Sequence, residues 1–311
     1  MSFAAVFPGQ GSQSIGMLGT LAPEHPEVQK TFAEASEALG YDLWALAQQG
    51  PEERLNATQQ TQPALLAAGV AAWRAWKAAG GRDPSAMAGH SLGEYTALVC
   101  AGAMDFKSAI KLVEFRGLAM QEAVPAGQGA MSAIIGLDDD AVRAACSEAA
   151  QGEVVEAVNF NAPGQVVIAG QTAAVQRAGE LCKAKGAKRA LPLPVSAPSH
   201  CALMKPAAER LAQKLTALDI RAPIIPVIHN VDVSAHADPD KIRAALKAQL
   251  HSPVRWVETV QKLLHDGMPK QVEFGPGKVL AGLAKRIDKS VEAYPVYDPA
   301  TLQAALAAVG A

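Results

Sequence analysis

Several features are scarce in this sequence, and each shortage argues against a class of protein. The four cysteines among 311 residues stand far apart and form no C-x-x-C pair, so neither a disulfide framework nor a cysteine zinc site is indicated. They are Cys100, Cys146, Cys182 and Cys201, and we expect them to be reduced. The formal net charge is only -2, so the chain has no general basic field of the kind that binds nucleic acid.

The sequence also lacks a membrane-spanning or secretory pattern. Its longest apolar run, Pro63–Trp73, is too short to cross a bilayer and ends at Arg74. No basic segment followed by an apolar one precedes the first strand-like segment, Phe3–Phe7. We therefore expect a cytoplasmic protein that binds no membrane. Because no large exposed apolar stripe is evident, we also expect a monomer.

What the sequence does contain is an alternation of strands and helices. Half of the residues are hydrophobic and only 5% are aromatic, which suits helices packed closely on a sheet. Residues 1–125 and 197–311 predict a large α/β-hydrolase-like domain, with a mostly parallel sheet flanked by helices. Between them, residues 126–196 have the order β-α-β-β-α-β of a ferredoxin-like fold. We predict that this small subdomain is inserted into the large one.

The strongest local pattern is a serine in AGHSLGEY, residues 88–95. Gly89, Ser91 and Gly93 form G-x-S-x-G, which in nucleophile elbows joins a buried strand to a helix. A short strand precedes this serine and a helix is expected from Leu92. Glycines let the backbone crowd at such a turn, and the helix N-terminus can receive an oxyanion. Because the pentapeptide also arises by chance, a plain helix start is the alternative.

Ser91 needs a base, because a free serine hydroxyl is a poor nucleophile. Its neighbour His90 is expected to point away, since successive residues on a tight turn diverge. The candidate base is His200, which precedes a helix expected at Ala202–Leu218, where the helix N-terminus would keep the imidazole neutral. A histidine with no role beyond the helix end is the alternative. No acid near it stands out as a third triad member, so a backbone carbonyl could hold the other ring nitrogen.

Arg116 is expected on an apolar helix face. On the helix predicted at Phe106–Ala123, its neighbours three and four positions away are Leu112, Val113, Ala119 and Met120. A guanidinium among apolar residues needs a partner from another element or an anionic ligand. The functional hypothesis is a fork that binds a substrate carboxylate. A distant salt bridge, or a side chain that extends to solvent, is the alternative.

A glycine-rich turn, Pro8–Gln13, follows the first strand. It is not a Walker loop, because no Gly-Lys-Ser/Thr follows it. Beside the elbow, this turn could supply a second backbone N–H for an oxyanion hole, that of Gln10, with the first from Leu92. An ordinary tight turn is the alternative.

A small basic cluster lies in the expected inserted subdomain. Its members are Lys183, Lys185, Lys188 and Arg189. Such a run is usually a solvated face. Its functional alternative is a docking site for an acidic protein, which at this net charge must use a local patch.

Seven ordered motifs give the chain a resemblance to a known family. They are FPGQGSQ at 7–13, TQPAL at 61–65, GHSLGEY at 89–95, RG at 116–117, NFNAPGQ at 159–165, PSHCALM at 198–204 and GPGKVL at 275–280. Over nearly the whole chain they resemble the malonyl-CoA:acyl carrier protein transacylases of type II fatty acid synthesis. The elbow alone is unspecific, whereas seven motifs in order around one serine are highly specific.

The resemblance implies a serine acyltransferase. Ser91 would attack the malonyl thioester with His200 as general base. The N–H groups of Gln10 and Leu92 would bind the oxyanion, and Arg116 would bind the free carboxylate of malonate. The substrate-binding set that the resemblance implies is Arg116, Gln10, His90, Gln62, Met120 and Ser199.

The resemblance also implies how the reaction is completed. In the family a main-chain carbonyl orients the histidine, and the Gln249 region matches that position. The phosphopantetheine thiol of acyl carrier protein would attack the malonyl-serine in a ping-pong transfer, and no metal or redox cofactor is needed. Ser199, just before the histidine, is small as in the fatty-acid enzymes, so malonyl is the expected acyl group.

Two other functions stay open at this point. A thioesterase or esterase shares the local chemistry, but its selectivity would not depend on Arg116. A scaffold that only binds the carrier would keep its role without Ser91. The joint presence of Ser91, His200 and Arg116 favours the acyltransferase, since a scaffold has no need of all three.

Overall fold

The computed structural model describes residues 2–195 and 197–310. Three limits of the predicted domains, Met1, Ser196 and Ala311, lie outside the described residues. The predicted fold class is confirmed, because a parallel sheet flanked by helices is combined with a smaller antiparallel sheet. The exact division into domains stays a prediction.

The larger sheet is parallel throughout its described strands. These are β1 (Phe3–Phe7), β2 (Ala86–Gly89), β7 (Val227–Ile228), β8 (Lys270–Phe274) and β9 (Glu292–Val296). Their order is β7-β2-β1-β8-β9. Every residue of β1, FAAVF, is buried, as expected for a parallel strand covered on both faces. Because the strands are parallel, their carboxyl ends meet at one edge, and the loops that follow them converge there.

Helices supply most of the covering layers. They are α1 (Glu27–Leu39), α2 (Leu43–Gln49), α3 (Glu52–Leu55), α4 (Thr58–Ala78), α5 (Leu92–Cys100), α6 (Phe106–Ala123), α7 (Asp139–Ala150), α8 (Thr172–Ala184), α9 (Lys205–Thr216), α10 (Pro239–Gln249), α11 (Trp256–His265), α12 (Val279–Ile287) and α13 (Pro299–Val309). Alternate residues of β1 face different cores: Phe3 and Phe7 pack with α1, α4 and α6, whereas Val6 packs with α11 and α12. In the described part of the chain, no helix is both long and apolar enough to cross a membrane.

The smaller sheet has the expected ferredoxin-like element order. Its strands are β3 (Gly129–Ile135), β4 (Val155–Ala162), β5 (Gln165–Gln171) and β6 (Arg189–Pro192). They pair antiparallel in the order β4-β5-β3-β6. Helices α7 and α8 cover one face of this sheet with an apolar cluster of their own.

The smaller sheet is tied to the large domain beside the end of α10. Val254 donates its N–H to Val158 O of β4 at 2.8 Å, and Phe160 donates its N–H to Val254 O at 3.0 Å. In the same segment, Leu250 O accepts the N–H of His200 at 3.0 Å. The junction of the two sheets therefore lies next to the candidate base.

Two elements are shorter than the sequence predicts. The apolar pattern of Ile224–His229 predicts a strand, but only β7 forms there, because Pro223 and Pro226 have no N–H to donate to a ladder. The helix expected at Ala202–Leu218 starts with a 3-10 turn, and α9 begins only at Lys205. Proline is favoured in the first turn of a helix because it has no N–H to donate, and Pro206 occupies that turn of α9.

Candidate active site

Ser91 lies on a strained turn between β2 and α5. Its backbone angles are φ 51° and ψ -108°, which residues other than glycine rarely adopt. Leu92 begins α5, so its N–H belongs to the first helical turn, where no acceptor exists within the helix. This is the strand–turn–helix context that the G-x-S-x-G pattern predicts.

Close backbone approaches explain the glycines of the elbow. A Cβ on Gly89 would lie 1.9 Å from the carbonyl carbon of Gly93, and a Cβ on Gly93 would lie 2.0 Å from the last carbonyl oxygen of β1. In the loop after β1, a Cβ on Gly9 would lie 2.5 Å from His90 O. The elbow therefore packs directly on the loop that contains Gln10.

His200 lies beside Ser91, although the two are 109 positions apart in the chain. Its Nε2 is 2.8 Å from Ser91 Oγ, and its Nδ1 is 2.7 Å from the backbone oxygen of Gln249. Because a carbonyl only accepts, Nδ1 carries the ring proton and Nε2 can accept one from the serine hydroxyl. The backbone carbonyl of Gln249 thus occupies the place expected for it.

The imidazole of His200 is neutral in this environment. Burial, with a smaller contribution from the Arg116 cation, lowers its pKa to about 3. The sequence predicts the neutral state from a helix N-terminus, whereas the largest cause in the structure is burial of a ring that is 2% exposed. The helix after His200 starts as a short 3-10 turn, Ala202–Met204, ahead of α9.

Arg116 on α6 extends to the side chain of Ser91. It is 2% exposed, and its Nη2 donates to Ser91 Oγ at 3.3 Å. Two neutral amide oxygens also accept from it: Nη1 donates to Gln62 Oε1 at 2.8 Å, and Nη2 donates to Gln249 Oε1 at 3.1 Å. The guanidinium carbon lies 5.3 Å from the centroid of the Tyr95 ring. Burial lowers its pKa, but an arginine remains charged in proteins.

No ion pair of the described residues includes Arg116. The distant salt bridge considered from the sequence is therefore not seen in the described part, and the side chain does not extend to solvent. Amide oxygens orient the guanidinium without cancelling its charge. A buried cation held in this way is suited to an anionic group of a substrate.

Gly117 lets α6 approach α4 closely enough for this contact. A Cβ on Gly117 would lie 2.7 Å from Gln59 Cα and 2.8 Å from Thr58 O. Because the two helices touch there, Gln62 of α4 reaches the guanidinium of Arg116. The glycine of the RG motif is thus explained by helix packing.

Three of the residues expected to bind substrate, Gln10, Gln62 and Met120, lie on or against α4 and α6. Gln10 Nε2 donates to Thr58 Oγ1 at 3.3 Å, so the side chain is held against the start of α4. Gln62 Nε2 lies 3.5 Å from Met120 Sδ, and Met120 is 2% exposed. The structure brings Gln62 and Met120 together beside Arg116.

His90 and Ser199, also expected to bind substrate, adjoin the two reacting residues in the chain. The ring of His90 turns to the smaller sheet, where its Nε2 is 2.8 Å from Asn161 Oδ1, and burial lowers its pKa. It therefore points away from the serine, as expected. Ser199 lies in the turn before His200, and its N–H donates to Ala197 O at 3.0 Å.

Two of the four side chains of the basic cluster form ion pairs within the small subdomain. Lys183 Nζ is 3.0 Å from Glu180 Oε1, and Lys185 Nζ is 3.1 Å from Glu148 Oε2. The other two members, Lys188 and Arg189, are exposed at the start of β6. A docking role for the cluster stays a prediction.

Asn230, which holds the elbow, is not among the site residues predicted from the sequence. Its Oδ1 accepts the N–H of Ser91 at 2.8 Å, and its Nδ2 donates to Gly89 O at 2.7 Å. Glu94, whose carboxylate is completely buried behind Ser91, is not among them either. The sequence does mark Glu94, because it is the one acid in the otherwise uncharged helix LGEYTALVC.

Within residues 2–195 and 197–310, no group of three or more His, Cys, Asp or Glu is placed to hold a metal ion.

The chain belongs to the acyl transferase domain family, whose profile matches residues 5–300. It is 61% identical over 304 residues to the malonyl CoA-acyl carrier protein transacylase of Salmonella typhimurium, which covers 98% of each chain. The resemblance drawn from the seven motifs is confirmed.

Solved structures agree with this assignment. An acyl carrier protein S-malonyltransferase from Vibrio cholerae superimposes with a TM-score of 0.96 at 65% identity, covering 98% of this chain and 99% of that one. A malonyl-transacylase in complex with its type II PKS acyl-carrier protein superimposes with a TM-score of 0.98 at 61% identity, covering 99% and 100%.

Proposed function

We propose that this protein moves the malonyl group of malonyl-CoA, through an ester on Ser91, to the phosphopantetheine thiol of acyl carrier protein. The family and the malonyl transacylases among its relatives support the reaction. The observation that carries the proposal is the buried guanidinium of Arg116, whose Nη2 lies 3.3 Å from Ser91 Oγ. A fixed cation beside a nucleophile favours an acyl group that ends in a carboxylate.

In the first half-reaction, Ser91 Oγ attacks the thioester carbonyl while its proton passes to His200 Nε2, 2.8 Å away. The oxyanion of the tetrahedral intermediate binds to the N–H groups of Gln10 and Leu92. When the intermediate collapses, the C–S bond breaks and the proton on His200 goes to sulfur. Coenzyme A leaves as the thiol, and malonyl remains as an ester of Ser91.

The second half-reaction reverses these proton transfers with a different thiol. The phosphopantetheine thiol gives its proton to His200, and its sulfur attacks the ester carbonyl. The C–O bond then breaks as Ser91 Oγ takes the proton back. Both halves use the same base and oxyanion site, so no step of the proposal requires a metal or redox cofactor.

Arg116 distinguishes this proposal from an esterase. Gln62 and Gln249 hold the two terminal nitrogens of its fork, so its orientation is set before substrate arrives. A malonyl carboxylate bound to this fork places the reacting carbonyl next to Ser91 Oγ. An esterase gains nothing from a cation at this position, because its acyl group need carry no charge.

The proposal also includes the setting of the reaction. The donor is a coenzyme A thioester, and the product supplies malonyl units for fatty acid elongation. The protein acts as a monomer in the cytoplasm, where reduced cysteines are the rule. The carrier docks at the basic cluster defined above, and neither nucleic acid nor a membrane takes part.

Intact mass after brief exposure to malonyl-CoA, without carrier, tests the proposal. We expect a single malonyl adduct that disappears when holo carrier protein is added, and no adduct on Ser91→Ala. The matched control is Ser147→Ala, since Ser147 is an exposed serine on α7. Steady release of coenzyme A with no adduct and no response to carrier would instead make water the acceptor and the protein a hydrolase.

A further inference from the structure

A buried carboxylate outside the reacting set lies behind the elbow. Glu94 is on the first turn of α5, three positions after Ser91, and is 0% exposed. Its Oε2 accepts the N–H of Asn230 at 2.9 Å and the side-chain Nε2 of Gln249, also at 2.9 Å. Its Oε1 is 2.7 Å from His229 Nδ1. A buried charge with this many hydrogen bonds holds its partners in one arrangement.

The two residues that Oε2 holds also form hydrogen bonds with the backbone of Ser91. Asn230 accepts the N–H of Ser91 at 2.8 Å, and Gln249 Nε2 donates to Ser91 O at 3.0 Å. The strained backbone of Ser91 is therefore held from both sides. Such a conformation persists only where the surroundings determine it.

Glu94, together with the backbone of Ser91, also determines which way the side-chain amide of Gln249 faces. Both acceptors near Gln249 Nε2, namely Glu94 Oε2 and Ser91 O, can only accept. The amide nitrogen must therefore face them, and Oε1 must face Arg116 Nη2, 3.1 Å away. If the amide turned over, its NH2 group would meet the guanidinium donor to donor.

We propose that Glu94 is a positioning residue for malonyl transfer, which acts through Asn230 on the backbone of Ser91 and through Gln249 on the orientation of Arg116. The proposal rests on the proposed function for its choice of substrate. Glu94 touches no reacting atom. It contributes to the selectivity for a carboxylated acyl group because it keeps the amide oxygen of Gln249, and not the amide nitrogen, facing the guanidinium of Arg116.

The variants separate hydrogen bonding from charge and from general stability. Glu94→Met is close in shape and removes the acceptor. Glu94→Gln can keep it, because both positioning bonds fall on one oxygen, and the new NH2 group can donate to His229 Nδ1 when the ring proton moves to Nε2. The matched control is Glu273→Met. Glu273 is 1% exposed and accepts the N–H groups of Leu280 and Ala281, at the start of α12.

The measurement is the ratio of kcat/KM for malonyl-CoA to that for acetyl-CoA, taken on one preparation of each variant. An unfolded fraction lowers both values equally, so it cancels from the ratio. We expect Glu94→Met to lower the ratio roughly ten- to hundredfold, the effect of losing a hydrogen bond to a charged group. We expect Glu94→Gln to stay within about threefold of the unsubstituted protein, and Glu273→Met to lose stability while the ratio is unchanged.

A ratio in Glu94→Met equal to that of the unsubstituted protein would overturn the positioning role. So would a Glu94→Gln variant as impaired as Glu94→Met, since charge and not hydrogen bonding would then be at work. An equal change in Glu273→Met would reduce the effect to general destabilisation. Failure of the unsubstituted protein to transfer malonyl at all would instead refute the proposed function, and this result is seen before any variant is compared.

Discussion

Ser91 and His200 both have a left-handed backbone, with φ of 51° and 68°, and a 2.8 Å hydrogen bond joins Ser91 Oγ to His200 Nε2. The backbone N–H of each strained residue donates a hydrogen bond to an acceptor in another part of the fold. Asn230 accepts the N–H of Ser91, and Leu250 O accepts the N–H of His200. The proposed nucleophile and its proposed base are therefore pre-oriented by the fold, as acyl transfer through a short-lived intermediate requires.

Removing the guanidinium should abolish the preference for malonyl. We expect Arg116→Met to lose about 3–5 kcal/mol of transition-state binding for malonyl-CoA and much less for acetyl-CoA, because only malonyl carries the carboxylate. The preference of Arg116→Lys for malonyl-CoA should lie between that of the unsubstituted protein and that of Arg116→Met, since lysine keeps the charge without the planar fork. Steady-state kinetics with both thioesters measures this. Arg210→Met, which removes a partly exposed arginine of α9 that pairs with Glu122, is the control. An equal fall with both substrates would contradict the role given to Arg116.

Acylation should tolerate acid better than an ordinary histidine would allow. Because the pKa of His200 is lowered to about 3, the base stays unprotonated well below neutrality. We expect kcat/KM for malonyl-CoA to change little between about pH 7 and pH 5, whereas a base with an ordinary pKa of about 6.5 would lose over nine tenths of its rate. The pH profile of Ser91 acylation, followed by rapid quench and mass, gives the answer. A fall in the acylation rate with a midpoint near pH 6.5 would contradict the lowered pKa and would show that the imidazole of His200 is solvated.

The same pKa shift makes folding stability depend on pH. The unfolded chain binds a proton at His200 below pH 6.5, while the folded chain does so only near pH 3. Stability from this group is therefore complete above the unfolded pKa and is lost as the pH falls towards the folded one. From pH 7.5 to 5.5 we expect His200 to cost about 1.4 kcal/mol.

Urea unfolding at those two pH values checks this, with His200→Asn as the comparison. All other titrating groups are common to both proteins, so the difference between their pH effects reports His200. The substitution should make the protein less sensitive to acid. Equal losses in the two proteins would place the pKa of His200 near its ordinary value.

Two Gly→Ala substitutions should have opposite effects. Gly93→Ala puts a Cβ 2.0 Å from Phe7 O, so β1 or the elbow must move, and we expect a loss of about 2 kcal/mol or more with most of the activity. Gly282→Ala on α12 meets nothing within 4 Å and should stabilise the protein by about 0.5–1 kcal/mol. Thermal unfolding with an acylation assay compares them. An active, stable Gly93→Ala would mean that the elbow is not packed as described.

If the carrier docks at the basic cluster, substitutions there should affect the transfer of malonyl to the carrier and not the acylation of Ser91. We expect charge reversal of the free members, Lys188→Glu with Arg189→Glu, to raise KM for holo carrier several-fold and to leave acylation by malonyl-CoA unchanged. Lys285→Glu with Lys289→Glu, two exposed lysines near the end of α12, is the matched control. If both pairs had the same effect, the cluster would contribute only through net charge.

Part of the site could be found from local patterns. The elbow can be predicted because such a turn needs glycine at fixed spacing. In the structure, the backbone comes so close to Gly89 and Gly93 that a Cβ would not fit at either position. Arg116 is readable because a cation among apolar helix positions has no local partner. The ferredoxin-like order of the smaller sheet is also local, since each strand and helix carries its own period.

The sequence by itself therefore determined the class of fold, the candidate nucleophile and a cation without a partner on its own helix, because each depends on residues within a few positions of one another. Only the tertiary structure decided which distant groups complete them. Asn230 and Gln249 meet Ser91 from segments more than a hundred positions away, where α10 ends and β7 passes into its loop. Such contacts depend on strand order and helix packing, which no local period encodes. For the same reason the role of Glu94 appears only once its partners surround it.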